Sequence, residues 1–269
     1  MKQRKNKHSP KTRGAKLGQH LLTSTAIAHS MVEAGEVMKG DRVLEIGPGK
    51  GMLTEALLAS GARVFAVEKD SSMVEVLKNR FATEIKKKQL VLIEGDAREY
   101  TPDKIFPQGA YKIIANIPYY ITGELIRSGL TAKNKPVSIA LLVQKEVAER
   151  IARSKKESIL SLSVKVFGTP HYVKTVKRGS FNPPPSVDSA ILAIREISSS
   201  NIKKIPEELF FQVIKCAFAQ KRKTILSNLK RVFGEHAFPA LDKAGIDAKT
   251  RAEDIELSKW LELAHYLKS

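Results

Sequence analysis

The stretch Val43-Leu44-Glu45-Ile46-Gly47-Pro48-Gly49-Lys50-Gly51 decides the fold. A short apolar run ends in a glycine-rich turn, and Met52–Ala59 follows with helical spacing. Strand, glycine turn and helix in that order open a βαβ unit. Glycine lets such a turn adopt positive φ and lets a ligand approach the backbone. Amides at the helix start suit an anionic group such as a carboxylate. The spacing is not the G-x-G-x-x-G of dinucleotide sites. Taken alone, the turn is equally a device for tight packing.

Downstream the same alternation continues. Strands are expected at 63–67, 90–94, 111–115 and 137–143, and helices at 71–81, 121–130, 145–152 and 158–167. Asp70 or Ser71 suits the N-cap of the helix at 71–81. A closing strand pair is expected at 171–177 and 187–195, split by the Pro183-Pro184-Pro185 loop. Upstream, the apolar positions Ile27, Met31, Val32 and Val37 predict a helix over 23–37, capped by Thr23 or Ser24. After Ser198-Ser199-Ser200 the strands stop, and helical patterns run over 206–219, 221–232 and 255–267. The expected architecture is α/β with a parallel sheet, followed by a small all-helical unit. Its divisions are 1–22, a basic arm and covering segment; 23–197, the α/β domain; and 198–269, the helical domain.

With 269 residues and 42% hydrophobic content, the chain has enough apolar surface for a core. No apolar run reaches the ~20 residues of a membrane span, and no secretory signal is apparent. Its single cysteine, Cys216, excludes an intrachain disulfide and a cysteine metal cluster. The six histidines show no paired ligand spacing, so no metal is expected. A cytoplasmic monomer is the expectation. The formal charge of +18 is unevenly placed. Residues 1–20 hold seven basic residues and no acid, and 203–231 hold eight basic residues against two acids. Two such clusters favour a polyanion, and nucleic acid first.

Three further strand ends carry chemistry. Glu68 closes the second strand 21 residues after Gly47, where an acid bonds ribose hydroxyls in nucleotide-binding α/β folds. Asp96, in Gly95-Asp96-Ala97 after the third strand, suits an exocyclic adenine amine. The fourth ends in Asn116-Ile117-Pro118-Tyr119. Here proline fixes the backbone, the asparagine side chain and the Ile117 carbonyl act as acceptors, and a flat ring stands beside them. That set suits a planar heterocycle bearing an NH2 group. Together these strand ends point to a nucleoside-bearing cofactor at the carboxyl edge of the sheet.

In this order, with Gly18-Gln19-His20-Leu21-Leu22 before them and Phe181-Asn182-Pro183-Pro184-Pro185-Ser186-Val187-Asp188-Ser189-Ala190 after, these motifs resemble those of the S-adenosylmethionine-dependent RNA adenine dimethyltransferases. The resemblance runs from about Gly18 into 217–229. It implies a Rossmann-like class I methyltransferase domain with a helical RNA-binding appendage. It also implies that His20 and Leu22 contact S-adenosylmethionine, Gly47 its methionine end, Glu68 its ribose and Asp96 its adenine. Asn116 would lie between cofactor and target. In the implied reaction Asn116 and the Ile117 carbonyl, held by Pro118, accept the N–H bonds of adenine N6. Tyr119 and Phe181 would hold the two faces of the base. The chain departs from the family pattern with His20 for Asn and Leu21 for Phe.

Two branches of the family compete. KsgA-like enzymes dimethylate two adjacent adenines in the 3′-terminal hairpin of small-subunit ribosomal RNA, in a pre-ribosomal particle. Erm-like enzymes modify large-subunit ribosomal RNA. The segments 142–147, 187–190 and 217–224 resemble the KsgA-like branch. A non-catalytic assembly factor on the same fold is the third reading. Intact Gly47, Glu68, Asp96, Asn116 and Tyr119 weigh against it.

Overall fold

The computed structural model describes residues 20–268. The basic arm at 2–16 and the Gly18-Gln19 pair of the first motif lie outside the described residues. In chain order the elements are β1 (Leu21–Leu22), α1 (Thr25–Ala34), β2 (Arg42–Ile46), α2 (Met52–Ala59), β3 (Arg63–Glu68), α3 (Ser71–Arg80), α4 (Ala82–Lys86) and β4 (Leu90–Glu94). Then come α5 (Pro102–Ile105), β5 (Lys112–Asn116), α6 (Thr122–Leu130), β6 (Ser138–Gln144), α7 (Lys145–Ala152), α8 (Ile159–Lys165) and β7 (Thr169–Val176). β8 (Phe181–Asn182), β9 (Ser189–Arg195), α9 (Glu207–Ala217), α10 (Ile225–Phe233), α11 (Ala237–Lys243) and α12 (Leu257–Tyr266) complete the chain.

Seven strands form one sheet in the order β4-β3-β2-β5-β6-β9-β7. The first five are parallel, and β9 and β7 close the edge antiparallel. Alternate residues of the central strands are buried on opposite faces. Leu44, Ile113, Leu141 and Leu192 belong to one core cluster, while Val43, Ile114, Leu142 and Ile191 belong to the other. Burial on both faces is what near-continuous apolar strands demand of a parallel sheet. α1, α2 and α3 cover one face with Met31, Leu57 and Leu77, and α6, α7 and α8 cover the other with Ile126, Ile151 and Leu162. The seven-stranded sheet starts at β2, builds outward to β4, then crosses back to β5 on the other side of β2. The order reverses between β2 and β5, where open α/β sheets leave a crevice beyond their carboxyl ends.

The helices after β9 do not have a separate core. Phe210, Ile214, Leu229, Trp260 and Leu263 join the same buried cluster as Leu162 and Phe167. Trp260 is fully buried and donates its indole N–H to the Ile255 carbonyl at 2.9 Å.

Local chemistry corrects several expected boundaries. The helix expected over 23–37 is shorter, starting after Ser24, whose hydroxyl accepts from the Ile27 amide at 3.4 Å, and ending at Gly35. Asp70 caps α3. The helix expected from 221 starts at Ile225, because the Thr224 hydroxyl accepts from the Ser227 amide and caps it there. Lys221, Arg222 and Lys223 consequently lie exposed in the turn between α9 and α10. The short helices α4, α5 and α11 have too few residues for a periodic signal and were not expected. Nor was the two-residue ladder of β1 with β8, which joins segments 160 residues apart.

The α9–α10 turn is held by Asn228, which is 2% exposed. Its amide donates to the carbonyls of Ala217 at 2.7 Å and Gln220 at 3.2 Å. Replacing Asn228 with Ala leaves both carbonyls short of a buried donor, a loss of about 1–3 kcal/mol. Urea unfolding is expected to show a destabilisation in that range; a change below about 0.5 kcal/mol would show that the bonds are replaceable by solvent.

Candidate active site

A cleft lies over the carboxyl ends of β2, β3 and β5 and beside β4. Its walls are Glu45–Gly49 with Met52 and Leu53, Glu68 and Lys69, Gly95–Arg98, and Asn116–Ile121, roofed by His20–Leu22. Gly47 and Gly49 carry φ of +67° and +57°. At Gly49 the absence of a side chain is also a spatial need, since a Cβ would stand 2.7 Å from Leu21 of the roof.

Glu68 is 3% exposed. Its Oε2 accepts the Gly49 amide at 3.0 Å and its Oε1 the Asp70 amide at 2.9 Å. It thus shapes the glycine turn from the neighbouring strand, in addition to standing where a ribose acceptor is expected. Asp96 is pinned by Lys69 at 2.9 Å and by the Arg98 guanidinium, at 2.6 Å to Oδ2 and 3.0 Å to Oδ1. These bonds, Arg98 first and Lys69 next, hold its carboxyl well below the usual range. An adenine amine at Asp96 would share an acceptor already bound by two cations.

The roof explains the proline-rich motif. β1 pairs with β8 antiparallel, Leu21 opposite Asn182 and Leu22 opposite Phe181. The Thr23 amide continues the tie to the Ser180 carbonyl at 2.9 Å. His20 Nδ1 donates to the Pro183 carbonyl at 2.9 Å. The His20 carbonyl in turn accepts Asn116 Nδ2 at 3.1 Å. With its amide nitrogen spent on the roof, Asn116 keeps Oδ1 as its acceptor. Ile117 is buried and Pro118 lines the cleft. The Tyr119 ring stands 5.9 Å from the His20 ring, tilted by 32°, and its hydroxyl meets the Ser189 hydroxyl at 2.6 Å. Burial raises the Tyr119 pKa.

The structure brings His20, Leu22, Gly47, Glu68, Asp96, Asn116, Ile117, Pro118 and Tyr119 to one cleft. Phe181, expected to hold one face of the base, is not among the residues that line the cleft. It is 4% exposed and packs in the core cluster of α1 and α2. The residue that sequence reasoning missed is Tyr120, 77% exposed on the cleft wall. Only its place after Tyr119 marked it. Glu45 was also missed as a site group. It is 1% exposed and lines the cleft, one carboxyl oxygen taking the Thr54 hydroxyl at 2.7 Å.

The sequence profile of the family described as ribosomal RNA adenine dimethylase matches residues 11–269. The chain belongs to the ribosomal RNA adenine dimethylase family. Among relatives of this dimethylase family, a protein of Dehalococcoides mccartyi named ribosomal RNA small subunit methyltransferase A is 37% identical, over 92% of this chain and 86% of its own length. A solved dimethyladenosine transferase from Plasmodium falciparum superposes with a TM-score of 0.76 at 28% identity, covering 91% of this chain and 96% of that one. The 23S rRNA methyltransferase ErmE shares the fold, with a TM-score of 0.72 at 22% identity over 93% and 100% of the two chains. The dimethylase fold is therefore a Rossmann-like methyltransferase sheet with helices in its C-terminal part. Among the described residues no helix is long and apolar enough to cross a membrane, and no cluster of His, Cys, Asp or Glu has the makings of a metal site.

Burial raises the Glu45 carboxyl from its ordinary 4.5 to about 8; the nearby Glu68 adds to this and the Thr54 bond opposes it. Between those values the folded protein holds a proton that the unfolded chain has lost. Stability therefore falls as pH rises through that window, by up to about 1.4 kcal/mol per pH unit. E45Q keeps an acceptor for Thr54 and carries no charge. Urea unfolding across the window is expected to show a flatter pH dependence for E45Q and higher stability than the parent above about pH 8. Parallel curves would show that Glu45 is ionised throughout.

Proposed function

We propose that the protein transfers methyl groups from S-adenosylmethionine to N6 of two adjacent adenines in the 3′-terminal hairpin of small-subunit ribosomal RNA. We further propose that it acts as a cytoplasmic monomer on a pre-ribosomal particle, and that the helices after residue 198 serve RNA binding. The observation that carries the reading is the state of Asn116. Its donor is engaged by His20, its acceptor has no partner among the described residues, and it lines the cleft together with Tyr119.

The cleft fits the cofactor on its own chemistry. A positive-φ glycine turn gives close access to the backbone, Glu68 offers a buried acceptor for a ribose, and a buried Glu45 oxygen without a partner suits a cation. Gly47, Glu68, Asp96, His20 and Leu22 would hold it. When bound, S-adenosylmethionine supplies a methyl group made electrophilic by the sulfonium. The chain's task is then to present the nucleophile. The N6 lone pair of adenine is delocalised into the ring. Asn116 Oδ1 and the Ile117 carbonyl accept the two N–H bonds and favour a more pyramidal nitrogen aimed at the methyl. Positioning of this kind is a large part of many enzymatic accelerations. The base leaves its RNA surroundings to reach the cleft. Tyr119 supplies the first stacking face, and exposed Tyr120 takes the place of Phe181 as the aromatic at the rim.

RNA binding has a second support. Lys221 and Lys223 line one cavity between the α7–α8 turn and the α9–α10 turn together with Arg150 and Lys156, which are paired with Glu146 and Glu253, and Arg153, Lys155 and Arg222 are exposed. Two basic segments distant in sequence thus make one surface for phosphates. The names of the similar proteins favour the small subunit over the large.

Single-turnover transfer of labelled methyl to small subunits lacking the modification tests the reading. Asn116→Ala is expected to lose about 10²–10³ in rate, as for other positioned polar groups at a reacting centre, while RNA binding persists. Near-normal rates would make the Asn-Ile-Pro-Tyr turn structural. Tyr119→Phe and Ser189→Ala each remove one side of the same hydrogen bond, worth ~1 kcal/mol or roughly fivefold. The double variant is expected to be no slower than either single one; additive losses would show that the two hydroxyls act independently.

A further inference from the structure

Glu45, whose buried oxygen suits a cation, is given no role in the methyl-transfer step above, and its surroundings are unusual. It sits on β2 between Thr54 of α2 and Glu68 of β3, on the cleft wall. Oε2 takes the Thr54 hydroxyl, and Oε1 is buried with no hydrogen-bond partner. Among the described residues no cation of the cleft is paired with it. Lys69 and Arg98 are bound to Asp96, and Lys50 is exposed. Glu68, whose two oxygens take the Gly49 and Asp70 amides, presents a like charge. The remaining titratable groups of the wall are His20, which donates to the Pro183 carbonyl, Tyr119, bound to Ser189, and Tyr120. A buried carboxylate without a partner is costly, and such a group stays neutral until a cation arrives.

We propose that Glu45 is a proton-linked counter-ion: it is neutral in the empty cleft and gives up its proton as the cationic end of the methyl donor binds. This rests on the proposed use of S-adenosylmethionine. The step balances simply. The carboxyl O–H bond breaks, its electron pair stays on the oxygen, the proton passes to solvent, and the ligand's positive charge replaces it. The chemistry required is a sulfonium or an ammonium. The methyl donor carries both, and the demethylated product, S-adenosylhomocysteine, carries the ammonium alone. If the pair forms at the sulfonium, Glu45 discriminates fresh cofactor from spent product.

Isothermal titration of the full chain with S-adenosylmethionine, in buffers of different protonation enthalpy, counts the protons released. About one proton per ligand is expected near neutral pH, with affinity rising close to tenfold per pH unit until about pH 8. E45Q is expected to bind without proton release and with no such pH dependence. Thr54→Val, which removes the one bond that favours the charged form, is expected to move the release to higher pH. Release with S-adenosylhomocysteine as well places the pair at the ammonium; release with the methyl donor alone places it at the sulfonium. Binding by the parent protein without proton release, or release that persists in E45Q, overturns the proposal and leaves the methyltransferase reading standing. Absence of any binding of S-adenosylmethionine removes both.

Discussion

A buried carboxylate between two strand ends sets the geometry on which the cleft depends. Glu68 closes β3 and reaches across to the Gly49 amide, while its other oxygen takes the amide that starts the α3 cap. The bond to Gly49 is buried and that to Asp70 part-buried, and low local dielectric strengthens such bonds. They hold the glycine turn open at positive φ beside β2, and they fix how far β3 stands from it. The in-register parallel ladder from Arg42 opposite Arg63 to Ile46 opposite Val67 delivers the two strand ends at the same height. β5 arrives on the other side of β2 because the chain crosses back at the order reversal. Asn116 therefore lies on the other side of the glycine turn from the acids Glu68 and Asp96. Binding groups gather on one side of the cleft and the proposed reacting group on the other.

The roof couples these two sides. A two-residue ladder is weak by itself, but it is supplemented at each end: Thr23 to Ser180, His20 to Pro183, and His20 to Asn116. One residue, His20, therefore touches the proline-rich loop, the proposed acceptor and the Tyr119 ring. The motif around Phe181 acts through its backbone, by clasping the segment that covers the cleft, and its aromatic ring is a core residue. Ser189 of the same motif acts through its side chain, holding Tyr119 by the hydroxyl. A loop that reads in sequence as a base-stacking element is thereby a positioning element for two groups at once.

The C-terminal helices extend this economy of parts. They pack into the same buried cluster as the sheet, and the basic turn at 221–223 lines one cavity with Ser154 and Lys156. Asn228 and the Thr224 cap fix where that turn begins and ends. The surface proposed for RNA and the cleft proposed for chemistry are consequently parts of one packed body.

The alternation of strands and helices, the sheet class, the caps to within one residue at Ser24 and Asp70, and the acids and acceptors at three strand ends were legible in the sequence. Each is written in local terms: apolar runs of strand length, helical spacing, a capping side chain, or a motif at a fixed distance from a glycine turn. Family resemblance added the roles, because six motifs in one order share a chemistry. What lay beyond reach is what depends on distance in space between residues far apart in the chain. The β1–β8 clasp has no periodic signal, so the burial of Phe181 and the exposure of Tyr120 were decided only by folding. The same holds for Glu45. Its sequence position marks the end of a strand, but its pKa is set by desolvation and by Glu68, 23 residues on, which the parallel register brings alongside. Local pattern determines which elements form; the tertiary structure decides which side chains lose water and partners, and that loss is what gives a residue its chemistry.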